Sequence, residues 1–142
     1  MKVYLRYNGN FWENSKRYEY KGNKDVVKYV LFGEEEGLNF EVRVFVVEPG
    51  GATSLEKHQH QHAVLVLEGE GSVLVGNKIY DIKPLDGIFV PPLTPHQFVA
   101  NKGSILKILC IVDARRDRPQ RLSDEELKDL LKNPEIAGVI KP

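Results

Sequence analysis

The four histidines of this chain occupy two short stretches, and three of them stand at alternate positions. Glu56, His58, His60 and His62 follow one another at a spacing of two, and His96 comes later, after a pair of prolines. In an extended strand alternate residues share one face, so the first four side chains would point the same way. Imidazole and carboxylate groups on a common face are the usual protein ligands of a divalent metal ion. The row therefore predicts a metal site.

Short segments rich in β-branched and aromatic residues recur along the chain and are separated by turns of Gly, Pro and Asn. Many short strands at regular spacing predict an all-β barrel or sandwich, which would have to position the histidines. A single extended segment is expected to carry the whole histidine row, from residue 55 to residue 67. The other strands are expected over residues 26–32, 40–48, 72–75, 79–82, 88–90, 97–100 and 105–112.

The two ends of the chain differ from these segments. Residues 1–24 are polar and aromatic, which predicts an irregular arm with one short strand, packed on a sheet or a subunit neighbour. Residues 25–113 form the predicted barrel, and residues 114–142 a charged linker followed by a short helix. One domain is expected over residues 1–142. The arginines of the linker are interpreted as pairing with acidic groups on the same chain or a partner, in preference to an anion clamp.

The predicted helix begins at Ser123, which with Glu126 fits a capping box. Its apolar stripe consists of Leu127, Leu130 and Leu131. Asn133-Pro134 is expected to stop it. Because so short a helix is only marginally stable in isolation, we expect it to dock on the outside of the barrel.

The composition shows no charge bias. Of the 142 residues 42% are hydrophobic, and the 20 basic residues balance the 20 acidic ones. Neither nucleic acid nor a membrane is therefore expected as a partner. The sequence shows no signal peptide and no apolar run that could span a bilayer, and a cytoplasmic location is expected. Cys110, the single cysteine, lies in an apolar run and is expected to be a buried structural thiol.

The histidine stretches resemble the two motifs of the cupin superfamily. The first motif is Gly, five residues, His-X-His, three or four residues, Glu, six residues, Gly. If His58 and His60 form the His-X-His pair, the glutamate position falls on Val64 or Leu65, which cannot bind metal. A second alignment starts at Gly50 and ends at Gly69 with every spacing matched. Its ligand positions hold Glu56, His58 and His62.

The second motif supplies the fourth ligand. His96 and Pro91 match it, but Leu85 and Leu93 replace its two glycines, so the loop before His96 is expected to be shaped differently. The resemblance thus implies a three-histidine, one-carboxylate set of metal ligands, which are Glu56, His58, His62 and His96. His60 is left over and is assigned to supporting the ligands or carrying a proton, with a ligand role in place of Glu56 as the alternative. A solvated polar strand, the non-functional interpretation of the row, does not explain the position of His96.

The resemblance also implies a fold and an activity. The fold is a cupin, jelly-roll-like β-barrel that holds one divalent ion, and Fe, Mn, Ni, Cu, Co and Zn all suit these ligand types. The expected function is a metal-dependent oxygenase of the dioxygenase type, or a related isomerase or decarboxylase, acting on a small-molecule substrate with Glu56 and His60 as catalytic proton carriers. A small-ligand binding or sensing module is the alternative, and a homodimer is expected. The expected apolar walls of the cavity are Val44, Val46, Val64, Val66, Phe89 and Phe98.

Overall fold

A computed structural model describes residues 16–19 and 25–142, which form two antiparallel sheets followed by two short helices. The large sheet has six strands in the order β1-β2-β3-β10-β5-β8. They are β1 (Lys16–Glu19), β2 (Val26–Phe32), β3 (Phe40–Val47), β10 (Leu106–Asp113), β5 (His62–Glu68) and β8 (Gly87–Val90). β1 is the short strand expected in the arm, and the rest of residues 1–24 lies outside the described residues.

The small sheet has five strands in the order β11-β4-β9-β6-β7. They are β11 (Gln120–Arg121), β4 (Glu56–Lys57), β9 (His96–Ala100), β6 (Gly71–Val75) and β7 (Lys78–Ile82). The predicted all-β class is confirmed. The two-residue strand β11 belongs to the linker after the barrel, and it pairs with β4, which carries the first residues of the histidine row.

Side chains on the inner faces of the two sheets form the main core. Strand alternation places every second residue there, so positions that pair across β3, β10 and β5 point inward together. Each fully buried aliphatic side chain contributes about 1.5–3 kcal/mol through removal of apolar surface from water. The core members include Phe45, Val47, Val66, Val73, Phe98, Leu106 and Ile108.

Gly69, where β5 turns toward β6, shows why the motif ends on glycine. Its φ is 82°, a left-handed conformation that side chains rarely adopt, and a Cβ there would lie 1.8 Å from the carbonyl oxygen of Ile105. The turn therefore lets the backbone pass against the start of β10.

The single extended strand expected over residues 55–67 is not present. β4 ends at Lys57, the chain bends over residues 58–61, and β5 begins at His62 in the other sheet. Of the four alternating residues, Glu56 therefore lies in the small sheet and His62 in the large sheet, while His58 and His60 lie in the bend between them. An alternating pattern indicates an extended backbone, but it cannot indicate a crossing between sheets.

The C-terminal segment docks on the outer face of the small sheet, as predicted. α1 (Asp124–Leu131) begins with the expected capping box, and α2 (Pro134–Ala137) follows at once because Asn133 caps it and Pro134 suits a first helical position. Ile136 packs with Leu130, Ile140 and Leu74 of β6. Leu131 was expected in the apolar stripe, but it is 41% exposed because it is rotated away from this contact. Among the described residues, neither helix is long and apolar enough to cross a membrane.

Candidate metal centre

Three of the four histidines converge between the sheets. His58 lies in the bend after β4, His62 is the first residue of β5, and His96 is the first residue of β9. One ligand atom from each lies within 4.8 Å of the others, and among the described residues these three form the cluster that could hold a metal ion. All three side chains are buried. The structure thus brings together three of the four ligands implied by the resemblance.

Backbone carbonyls fix the orientation of two of these rings. His58 donates from Nδ1 to the carbonyl oxygen of His60 at 2.7 Å, and His96 donates from Nδ1 to that of Thr94 at 2.9 Å. A carbonyl can only accept, so each proton sits on Nδ1 and each Nε2 keeps its lone pair. This is the usual support for a metal-binding imidazole, in which the second nitrogen is held from outside.

The spacing of the nitrogens fits a metal ion. Nε2 of His62 lies 2.8 Å from Nε2 of His58, which is a hydrogen bond while one of them carries a proton. Neighbouring ligand nitrogens about 2.1 Å from a metal ion are roughly 3 Å apart, so loss of that proton leaves two lone pairs suitably placed. The donors present therefore fit a divalent cation.

The electrostatics of the site keep these histidines neutral. Burial, followed by the charge of His96, lowers the pKa of His62 to about 2. Burial lowers the pKa of His96 to about 4, partly opposed by its hydrogen bond to Thr94. The pKa of His58 is also lowered, mainly by burial. Neutral imidazoles are the form that binds metal.

Glu56 lines the same cavity but is not part of the 4.8 Å cluster. It pairs in register with His96 across β4 and β9. Burial raises the pKa of the Glu56 carboxyl, with the charges of Arg43 and Arg121 opposing. Its assignments as fourth ligand and as proton carrier stay predictions.

His60 lies beside the cluster and is held by Asp117, a residue that the sequence reasoning did not single out. The Asp117 carboxylate accepts from the backbone N–H groups of Gln59 at 2.7 Å and His60 at 2.9 Å, and from Nδ1 of His60 at 2.7 Å. The first of these bonds is the main reason that the pKa of Asp117 is low. The His60 ring stacks on His58 with centroids 3.6 Å apart. One carboxylate thus fixes the bend and places His60 against a ligand.

Nothing local in the sequence identifies Asp117, because its partners lie 57 and 58 residues away. The same linker also provides Arg116, which forms an ion pair with Glu41 at 3.4 Å. The interpretation of the linker as charge pairing within the chain therefore agrees with these contacts.

The Cys110 thiol is buried, as predicted, but it also lines the cavity. Its Sγ lies 2.8 Å from Nδ1 of His62 and 3.5 Å from Nη2 of Arg43. Burial raises the pKa of the thiol, partly opposed by Arg43. No basic residue is close to Cys110 along the chain, but the pairing of β10 with β3 and β5 brings Arg43 and His62 to the thiol.

The cavity beside the cluster has a volume of about 240 Å³, smaller than typical sites for drug-sized ligands and suited to a small metabolite. Val64 and Phe98 line it, as expected. Val44 and Val46 do not, because Arg43 and Phe45 occupy the inward positions of β3 and the alternate residues point outward. Phe89 is 57% exposed, and Val66 lies in the core. The apolar walls are Val26, Phe45, Val64, Phe98 and Ile108.

Two leucines before His96 have a left-handed backbone conformation: Leu85 in the turn before β8, and Leu93 in the loop between β8 and His96. Leu85 has a φ of 74° and Leu93 a φ of 54°, and within the described residues they are the two non-glycine positions with positive φ. Both stand where the second motif has glycine. The two leucines thus adopt a backbone conformation that glycine would also allow, and hydrogen bonds hold it; the expected difference in the shape of the loop stays a prediction. Leu93 donates from its backbone N–H to the carbonyl of His58 at 2.7 Å, and Leu85 to that of Val66 at 2.8 Å.

Comparison with known proteins agrees with this architecture. A family model described as Cupin domain matches residues 43–112. A 1-methylthio-D-xylulose 5-phosphate methylsulfurylase from Rhodospirillum rubrum is 38% identical over 117 residues, which cover 82% of this chain and 74% of that protein.

Two solved structures are also similar. A cupin 2 conserved barrel domain protein from Rhodopseudomonas palustris superposes with a TM-score of 0.87 at 37% identity, covering 99% of this chain and 100% of that one. A cupin-2 domain protein from Rhodospirillum rubrum gives a TM-score of 0.84 at 34% identity, covering 97% and 93% of the two chains.

Proposed function

The chain belongs to the cupin family, and on that premise we propose that it is a metal-dependent enzyme acting on a small phosphorylated ketone. The observation that carries the proposal is the convergence of three buried, neutral imidazoles beside a small cavity. The identity to a protein named for a methylthio-pentulose phosphate supports a ketose phosphate as the substrate class.

His58, His62 and His96 would hold a divalent ion, with Glu56 as the proposed fourth ligand. When bound, the ion supplies a Lewis acid that polarises a substrate carbonyl oxygen. All the candidate metals, from Fe to Zn, suit histidine and carboxylate donors, so the metal is left to measurement.

His60 is the proposed proton carrier. Because its Nδ1 is bonded to the Asp117 carboxylate, the Nε2 of this cavity-lining ring keeps a lone pair that can take a proton. In the proposed step the C–H bond next to the carbonyl breaks and its proton moves to Nε2 of His60. The electron pair moves onto the carbonyl oxygen, giving an enolate of the substrate.

The experiment is hydrogen exchange at carbon, followed by NMR in deuterated water. The protein is purified with its native metal, the metal is quantified, and D-xylulose 5-phosphate is the substrate probe. We expect deuterium to enter next to the carbonyl with the loaded protein, to be lost after chelation, and to fall at least tenfold in His60→Gln. An Asp117→Asn variant is expected to show a smaller loss, because it keeps an acceptor for the bend.

Three outcomes would contradict the proposal. If the purified protein holds no stoichiometric metal, the proposal of a metal-dependent enzyme is contradicted. Stoichiometric metal without exchange would favour a binding or sensing module. Oxygen uptake with catechols, diketones or thiols, measured in parallel, would favour the dioxygenase alternative.

A further inference from the structure

Three cationic side chains line the cavity that contains the histidines. Lys28 lies on β2, Arg43 on β3, and Arg116 follows β10. The pKa of Lys28 is lowered first by burial and then by the charge of Arg43, with Arg116 adding to this and Glu41 opposing it. Both arginines therefore lie close enough to Lys28 for their charges to act on its ammonium group.

Arg43 is the most enclosed of the three. Its side chain is 7% exposed, and Nη2 contacts Sγ of Cys110 at 3.5 Å. Within residues 16–19 and 25–142, the Nε atom of Arg43 is the only buried side-chain nitrogen or oxygen atom that lacks a hydrogen-bond partner. Oε1 of Glu41 lies 3.9 Å away, which is an ion pair but too long for a hydrogen bond. A buried donor left unpaired costs about 1–3 kcal/mol, so an acceptor atom from a ligand would be favoured here.

The charges around the cavity do not balance once a metal is bound. Glu41 pairs with Arg43 and with Arg116, and Glu56 and Asp117 are the two carboxylates that line the cavity. Three carboxylates thus offset the three cationic side chains. A divalent ion at the histidines, together with Arg121 beside Glu56, then leaves positive charge in excess, in a site where burial weakens screening by solvent.

We propose that Lys28, Arg43 and Arg116 form an anion subsite that holds the phosphate group of the substrate. A phosphate monoester carries about two negative charges, which offset this excess, and its oxygens can accept from the unpaired Nε of Arg43. The subsite is placed in the same cavity as the histidines, so a ligand of limited length spans both. This inference rests on the proposed function for the nature of the reacting carbonyl, but phosphate binding is measurable without turnover.

The test is calorimetric titration of the metal-loaded protein with D-xylulose 5-phosphate, D-xylulose and inorganic phosphate. We expect the phosphate ester to bind at least 100-fold more tightly than the free sugar. Arg116→Gln and Lys28→Gln should each weaken binding of the ester at least tenfold, because each removes a charge-assisted contact. The matched control is Arg118→Gln, two residues along the same linker and outside the cavity lining, which should bind within twofold of the unmodified chain.

Metal content and folding are measured for every variant, so that loss of the metal site is distinguished from loss of the anion subsite. The second arm uses His96→Ala with its metal removed, in which inorganic phosphate should bind more weakly, because the charge of the ion is gone, but should still depend on Arg116. If phosphate binding disappears with the metal and ignores Arg116, the anion is held by the metal and the subsite is overturned. Equal affinity for D-xylulose and its phosphate ester also overturns the anion subsite. This outcome is independent of the hydrogen-exchange experiment that tests the proposed function.

Discussion

At the scale of the residue, the four histidines have unequal roles because their second nitrogens have unequal partners. His58 and His96 donate from Nδ1 to carbonyls, whereas His60 donates to a carboxylate and lies outside the cluster. The motif alignment from the sequence separates His60 from the others for a different reason, its spacing from Gly50. Spacing along the chain and the convergence of ligand atoms in the fold therefore select the same three histidines.

We expect single alanine substitutions of His58, His62 and His96 to reduce bound metal by at least tenfold, since each removes a ligand nitrogen from the cluster. His60→Ala should keep at least half of the metal. Glu56→Gln tests the fourth-ligand assignment and should weaken metal retention in competition with a chelator. The measurement is metal per chain by mass spectrometry after dialysis, and a loss in His60→Ala equal to that in His58→Ala would mean that the ligand set is wrong.

The two left-handed leucines lead to a stability prediction. Leu85 and Leu93 are 80% and 48% exposed, so their side chains contribute little packing. A Cβ in the left-handed region costs roughly 1–2 kcal/mol, and the added freedom of glycine in the unfolded chain offsets about 0.4–1 kcal/mol of that gain. Leu85→Gly and Leu93→Gly should each raise the free energy of unfolding by up to about 1 kcal/mol in urea titrations. The control is alanine at the same positions, which keeps the Cβ. If the alanine variants are stabilised as much as the glycine variants, the left-handed backbone conformation is not the cause of the stabilisation.

At the scale of the element, the helices are attached through a few apolar contacts on the outer face of the small sheet. Ile136 is 1% exposed and packs in the cluster that includes Leu74 of β6. Ile136→Ala should lower the free energy of unfolding by about 2–5 kcal/mol, the usual cost of such a cavity. Leu131→Ala is the matched control from α1, and its loss should stay below about 1 kcal/mol because Leu131 is 41% exposed. Chemical denaturation followed by circular dichroism measures both, and equal losses would contradict the docking contact.

Most of the strands and the start of the first helix were predictable from the sequence, because the patterns that indicate them are local. β-Branched runs between glycine and proline turns identify the strands, and Ser123 with Glu126 identifies the start of α1. The bend at residues 58–61 was not predictable, because alternation is the same on both sides of it. Its cause is Asp117, which bonds the bend from beyond the last long strand. Contacts across such a separation leave no periodic pattern.

At the scale of the whole molecule, burial of the histidines makes the metal-free fold sensitive to acid. The pKa values of His62 and His96 are about 2 and about 4 in the folded chain, against 6.5 ordinarily. Between pH 6.5 and 5 the unfolded chain takes up protons that the folded chain does not, so stability falls as pH falls. We expect a loss on the order of 2 kcal/mol for each of these histidines over that range.

Urea unfolding of the chelator-treated protein at pH 7.5 and pH 5 measures this loss. His96→Gln should show a smaller difference between the two pH values, because one of the buried histidines with a lowered pKa is gone. A free energy of unfolding that does not change with pH in the unmodified, metal-free chain would contradict the prediction.

The outer face of the large sheet is the surface on which we propose that the chain forms a homodimer. Leu65, Phe89 and Ile111 lie on adjacent strands and are 36%, 57% and 39% exposed. By strand register the three side chains share one face of the sheet, and an exposed apolar patch can mark a protein–protein interface. Phe89→Asp and Ile111→Asp should each convert a dimer to a monomer in light scattering, whereas Tyr80→Asp, 50% exposed on the small sheet, should not. A monomeric mass for the unmodified chain would end the proposal.

The bond from Asp117 to the bend also has a consequence for protein synthesis. The bend at His60 leaves the ribosome about 57 residues before Asp117, which at roughly 5–20 residues per second is roughly 3–11 s. Throughout that interval the segment with His58, His60 and His62 lacks the carboxylate that shapes it, and in the earlier part of the interval it lacks His96 as well. The complete pocket therefore exists only after the linker has been translated, so we expect a metal ion to bind to the finished fold and not to the nascent chain.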